Sequence, residues 1–220
     1  MPANRTPASP PKPTGPGRPK DPAKRAAILE AAKRIFTQQG FDGTSMDKVA
    51  TEAGVSKLTV YSHFGDKEGL FSAVVRAHCE QQMPSSMFEK RPDMPLRERL
   101  MEIAQAFYTM ISSPEAVAGH RMMCSPQMAE TPMIQLFWES GPMRVQGDFA
   151  HLLERRIETG ELRIADVERA ASQFFTLLKG EHHARLVFGC AGPPLGSVEE
   201  HLSASVDMFL AAYAVRPHEC

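Results

Sequence analysis

The sequence predicts an all-α protein, with an N-terminal three-helix helix-turn-helix module followed by a larger C-terminal helical bundle. Three observations support this. Apolar residues recur three and four positions apart along most of the chain, and no stretch shows strand alternation. Capping residues precede the apolar runs and glycines close them. Near the front, two short helical patterns are separated by a tight Gly54-Val55-Ser56 turn, the spacing of a helix-turn-helix.

The elements follow in order. Residues 1–20 are rich in Pro and Gly and carry Arg5, Lys12, Arg18 and Lys20. Such a composition builds no core and predicts a mobile arm. It is either a solvated tail or, through Gly17-Arg18-Pro19-Lys20, a basic strand suited to a minor groove. Asp21-Pro22 sets an N-cap with proline at the first helical position. Ile28, Leu29, Ala32, Ile35 and Phe36 then form one apolar stripe, which Gly40 ends. Thr44-Ser45-Met46-Asp47 reads as a capping box, with Met46, Val49, Ala50 and Ala53 facing inward. Ser56 caps a helix over Lys57–Phe64, on which Leu58, Tyr61 and Phe64 are expected to pack inward and Lys57, Thr59, Ser62 and His63 to point out. Asp66 caps a longer helix carrying Leu70, Phe71, Val74, Val75 and Cys79.

A Pro- and Ser-rich linker is expected from Pro84 to about Pro95. Further helices are expected over Leu96–Ser112, Pro114–Met128, Thr131–Ser140, residues 142–157, Asp166–Phe188 and residues 197–213, the last opened by a Ser197–Glu200 capping box. The resulting division is an arm at 1–20, a first domain at 21–76 and a second at 77–216.

Charge separates the two domains. The net charge of 220 residues is only −1, yet residues 1–76 hold twelve Lys+Arg against seven Asp+Glu, and the remainder thirteen against nineteen. The basic front suits a polyanionic partner. Four irregularly spaced cysteines give neither a disulfide framework nor a zinc site. The N-terminus lacks a secretory h-region, and no apolar run approaches the roughly 20 residues of a membrane span, so a cytoplasmic location is expected.

The stretch GVSKLTVYSHFGDKEGLF at residues 54–71, with TSMDKVATEAG before it, resembles the DNA-binding signature of the TetR/AcrR transcriptional regulators. The likeness covers residues 24–76 and rests on Thr44, Ala50, Gly54-Val55-Ser56, Thr59, Tyr61, Phe64, Lys67-Glu68 and Leu70-Phe71. It implies a homodimer whose N-terminal modules bind a palindromic operator in double-stranded DNA and whose C-terminal bundle binds a small-molecule effector. It also implies repression relieved by that effector, and a dimer interface built from the helices at 166–188 and 197–213. The helix at 57–64 becomes the recognition helix. Lys57, Leu58 and Thr59 would then face base edges. Tyr61, Ser62, His63 and Lys67 would lie near the backbone, and Thr44 and Ser45 would meet a phosphate. Leu58 is bulkier than the small residue frequent at its position, and Ser62 stands where a larger aromatic is frequent.

Physical chemistry gives these assignments independent sense. Helix N-termini present free N–H groups and partial positive charge to phosphates. Lys57 can donate to guanine, and the methyl groups of Leu58 or Thr59 can touch that of thymine. In the second domain, Met101, Met110, Met122, Met123, Met128, Met133 and Met143 accompany Phe107, Tyr108, Phe137, Trp138 and Phe149. Most of them are expected in the core, some around a pocket for an apolar or aromatic effector. Adjacent His182 and His183 diverge by about 100° on a helix and do not chelate one metal. Cys124 is expected to be buried. No catalytic triad, phosphate loop or metal-ligand spacing is present, so neither enzyme activity nor a cofactor is expected. The alternatives are a helical interaction module, or an enzyme without DNA binding.

Overall fold

The structure, a computed structural model, describes residues 21–91, 93–126, 128, 131–191 and 196–215. The basic arm, with Arg18 and Lys20, lies outside them.

Among the described residues there are ten α-helices: α1 Pro22–Gln39, α2 Met46–Glu52, α3 Lys57–Phe64, α4 Lys67–Gln82, α5 Leu96–Ser112, α6 Pro114–Met123, α7 Pro132–Ser140, α8 Pro142–Glu158, α9 Val167–Phe188 and α10 Val198–Tyr213. The expected caps hold most of them. Asp21, Ser56 and Asp66 accept from backbone N–H groups of α1, α3 and α4, and Ser197 and Glu200 form a reciprocal capping box. The box expected at Thr44–Asp47 does not form. Ser45 is the N-cap and bonds to Lys48 N, so the third helical position holds a lysine with no carboxylate to return the bond. The helix expected to reach Met128 ends at Met123, with Cys124 as its C-cap.

Two apolar clusters organise the chain. In the first, α1, α2 and α3 close over Ile28, Ala32, Ile35, Phe36, Met46, Val49, Val60, Leu70 and Phe71. Three rings lock its corner: Phe36 stacks on Phe41, and Phe71 meets both edge-on at 5.4 and 5.9 Å. Such pairs add about 0.5–1.5 kcal/mol each beyond burial. The second cluster surrounds Phe149, whose ring contacts Phe88, Phe174, Phe175 and Phe209. Phe88 belongs to a 3₁₀ turn, Ser85–Phe88, inside what composition predicts to be a plain linker. Met83 before it is also buried, so this segment is pinned to the bundle.

The clusters are not insulated from each other. α4 starts in the first, with Leu70 and Phe71, and ends in the second, with Cys79 and Met83. The boundary expected at 76/77 therefore falls inside one continuous helix. Met128 and Met133, from the second half of the chain, pack into the first cluster, and Phe137 and Met122 lie against it.

One helix is broken. At Gly180 the backbone turns to φ 47°, ψ −158°, interrupting α9. A Cβ there would overlap the His201 ring. Glycine is the residue that permits both the dihedral and the approach. The carbonyls released by the break are met from α10: His201 Nε2 lies 3.1 Å from Leu178 O, and the Ser205 hydroxyl donates to Leu177 O. An isolated antiparallel bridge, Leu162 to Ala214, ties the Gly160-Glu161-Leu162 corner to the end of α10.

Candidate nucleic-acid interface and the cavity behind it

α3 lies on the first cluster through Val60, which is wholly buried, with Phe64 half-buried one turn on. The opposite face is open. Leu58 is 78 % exposed and Tyr61 41 % exposed, so the expectation that they pack inward is wrong. An eight-residue helix lying on three others covers only one narrow stripe, and Val60 and Phe64 fill it. Lys57, Leu58, Tyr61 and Ser62 thus form one exposed face, with Thr59 partly covered beside them.

Lys57, Thr59 and Ser62 each have an internal partner. Lys57 Nζ reaches Asp47 Oδ2 across the turn at 2.8 Å, which raises its pKa above the ordinary lysine value. It also lies 5.9 Å from the Tyr61 ring centroid. The Thr59 hydroxyl is 2.8 Å from Ser56 Oγ, leaving its methyl as the free group. Ser62 Oγ donates to Thr59 O. His63 is half-buried beside Phe64, and its Nδ1 has no hydrogen-bond partner.

Two of the residues expected at phosphates have internal partners. Thr44 is 3 % exposed and its hydroxyl donates to Gly40 O, so the side chain fastens the loop before α2 instead of facing outward. Lys67 is partly buried. Its ammonium donates to Phe41 O and Thr44 O and sits 4.1 Å above the Phe41 ring, which makes it a strut between α4 and the same loop. Ser45 is exposed at the N-terminus of α2, as expected. Lys48 is a further exposed cation beside it, held by Gln39 Oε1 and Gly43 O. It was not singled out from sequence, although its place in the first turn of α2 was readable.

Behind this module lies a cavity of about 280 Å³. Its wall is shared between the first module, through Phe36, Thr37, Phe71 and Val74, and the second, through Phe107, Met123 and Trp138 among others. The methionine-rich set thus divides. Met110, Met122, Met123, Phe107, Phe137 and Trp138 line the cavity, whereas Met128, Met133, Tyr108 and Phe149 are core and Met143 is exposed. Five basic side chains join the lining: Lys33, His78, His120, Lys179 and His183. None was assigned there from sequence. Only the four-residue step from Lys179 to His183, within an apolar helix, hinted at it.

His182 and His183 diverge as their spacing demands. His182 stacks on His201 at 4.9 Å, and His183 meets His120 at 5.2 Å. Cys124, expected to be buried, is exposed because α6 ends before it. Among the described residues there is no cluster able to hold a metal ion, and no helix is long and apolar enough to cross a membrane.

This geometry has known counterparts. Residues 28–74 match the model of bacterial regulatory proteins of the tetR family, and residues 98–215 match that of the C-terminal domain of AefR-like transcriptional repressors. The chain is 24 % identical over 185 residues to the transcriptional repressor AcnR of Corynebacterium glutamicum, covering 83 % of this chain and 92 % of that one. It is 29 % identical to the transcriptional activator FasR of Mycolicibacterium smegmatis and 45 % identical to the regulator RutR of Escherichia coli K12. Those matches span about half of this chain and half of each relative. Among solved structures, the flavonoid-responsive regulator FrrA superposes with a TM-score of 0.67 at 31 % identity, over 88 % of this chain and 98 % of its own. A TetR-family regulator from Mesorhizobium loti gives 0.69 at 29 %, over 87 % and 97 %. An exposed short helix on a helix-turn-helix, a helical second domain behind it and both family models therefore agree: the chain belongs to the TetR family of transcriptional regulators.

Proposed function

We propose that the protein is a cytoplasmic, ligand-responsive repressor that binds a palindromic operator as a homodimer and leaves it when a small apolar or aromatic effector fills the cavity. The observation that carries this reading is the shared wall. α1 and α4 of the reading module and α5 to α9 of the second domain line the same space. A body lodged there presses on α4, whose first turns support α3. Filling the cavity therefore favours one tilt of the reading module over another, and the equilibrium shifts toward dimers whose recognition helices no longer match the groove spacing.

Lys57, Leu58 and Thr59 are the base-facing residues in this proposal, with Tyr61, Ser62, Ser45 and Lys48 toward the backbone. Thr44 and Lys67 act by shaping the loop between α1 and α2, and His63 by packing beneath α3. Support for the dimer comes from α9 and α10, whose outer faces carry exposed Ser172, Thr176, Ala204, Met208 and Ala211, residues small or flexible enough for close helix packing. Two recognition helices about 34 Å apart would meet successive major grooves. An aromatic effector is supported by FrrA, which is flavonoid-responsive.

Selection of bound duplexes from a random pool tests the reading directly. A palindromic consensus is expected, with log K falling against log salt at a slope near −7 if roughly eight phosphates are neutralised. Binding without sequence preference or salt dependence rejects it.

A further inference from the structure

The polar groups of the cavity fall into two sets. Lys33 from α1 and His78 from α4 face Glu115 from α6, so this set holds its own carboxylate; the uncharged polar lining is Thr37 from α1, Gln146 from α8, the Cys79 thiol from α4 and the Trp138 indole from α7. Lys179 and His183 from α9 and His120 from α6 form the other set, which contains no anion. The Lys179 ammonium has neither hydrogen bond nor ion pair among the described residues. Burial lowers its pKa. Burial, followed by the neighbouring His120 and Lys179, pushes His183 down to about 4, and burial then Lys179 lower His120. A cation held against an apolar wall without a counter-charge is costly, and buried cations in proteins are ordinarily paired.

From this imbalance we infer that the cavity selects an amphipathic organic anion: an aromatic body against Phe107, Met123, Phe137 and Trp138, with one oxyanion seated between Lys179 and the His120–His183 pair. The inference rests on the cavity being the effector site. Its chemistry is a carboxylate or a phenolate. A single negative charge would pair the ammonium and, by raising both histidine pKa values, would draw in protons. Affinity for an anion should therefore climb as pH falls from 8 to 6.

The chain has one tryptophan, Trp138, and it lines the cavity, so quenching of its emission reports occupancy at this place. The full chain is titrated with 1-anilinonaphthalene-8-sulfonate and with its uncharged analogue N-phenyl-1-naphthylamine. The anion is expected to bind at least ~10-fold more tightly, the worth of one charge-assisted contact in a dry site. Lys179→Met should remove that advantage by weakening the anion, while the neutral probe binds no less tightly than before. Equal or neutral-preferring affinity in the unaltered chain, no quenching by the anion, or equal losses for both probes in the variant overturns the inference. Competition by 2-naphthoate assigns a carboxylate, and competition by 2-naphthol that strengthens at alkaline pH assigns a phenolate; competition by neither also overturns it. Operator release is scored separately with each probe. Anion selectivity without release keeps the cavity chemistry and removes the effector role, whereas release by the neutral probe alone does the reverse.

Discussion

Around α3, the exposed lysines are held by partners that are easily exchanged. Lys57 pairs with exposed Asp47 and Lys48 leans on an amide and a carbonyl, whereas partly buried Lys67 is fastened to two loop carbonyls. Around the cavity, Lys179 has no such partner and two imidazoles, His120 and His183, crowd nearby. An exposed ion pair is worth little, so in the proposed complex exchanging Asp47 for a base edge would cost Lys57 little, and the α3 face is preset without being locked. Lys179 is partly covered and unpaired among the described residues, so under the anion proposal the cavity wall carries a penalty that an incoming anion would lift. The proposed function thus rests on partnered groups at one end of the molecule and on an unpaired cation at the other.

Four measurements sharpen that contrast, beginning with the largest effect. Gly180→Ala should destabilise the bundle by about 3 kcal/mol, combining backbone strain with overlap against His201. Urea unfolding of the variant checks this, and a change within error would mean that the break in α9 is soft.

Next comes acid. The folded pKa of His183 is lowered to about 4, and those of His78 and His120 are lowered as well, so the unfolded chain binds more protons between about pH 6.5 and 4. Stability should be full above that window and fall on acidification through it, by about 2 kcal/mol from His183 alone between pH 7.5 and 5. A flat stability profile across that range would remove the contrast with the N-terminal module.

Third, Lys67→Ala leaves Phe41 O and Thr44 O without their donor and should cost about 1–2 kcal/mol of stability. It should weaken operator binding for all sequences without lowering the salt slope. A slope reduced by about one would instead make Lys67 a phosphate contact. Last, Leu58→Ala should leave stability within about 0.5 kcal/mol, since the side chain is exposed, yet alter preference at particular base pairs. Unchanged preference in a selection experiment would take Leu58 off the reading face.

How much of this was legible beforehand differs by region. The reading module was readable almost residue by residue, because caps, glycine turns and one short stripe are local devices. Its errors were also local: Tyr61 and Leu58 look apolar enough to bury, but Val60 and Phe64 already occupy the stripe. Thr44 and Lys67 were legible as polar residues near helix starts, yet which carbonyl each would meet depended on a loop folding back over them. In the second domain, helix positions were readable and partners were not. The 3₁₀ turn that buries Phe88 and the Gly180 break leave little trace in periodicity.

By itself, then, the chain's order of residues determined the all-helical character, the helix-turn-helix and the exposed basic character of its front, since each follows from interactions within a few turns. Only tertiary packing decided which methionines are core and which are cavity, that α4 serves both clusters, and that Lys179 from one helix meets His120 from another with no anion between them. Those outcomes depend on how distant helices are laid against one another, which periodicity along a single helix does not encode.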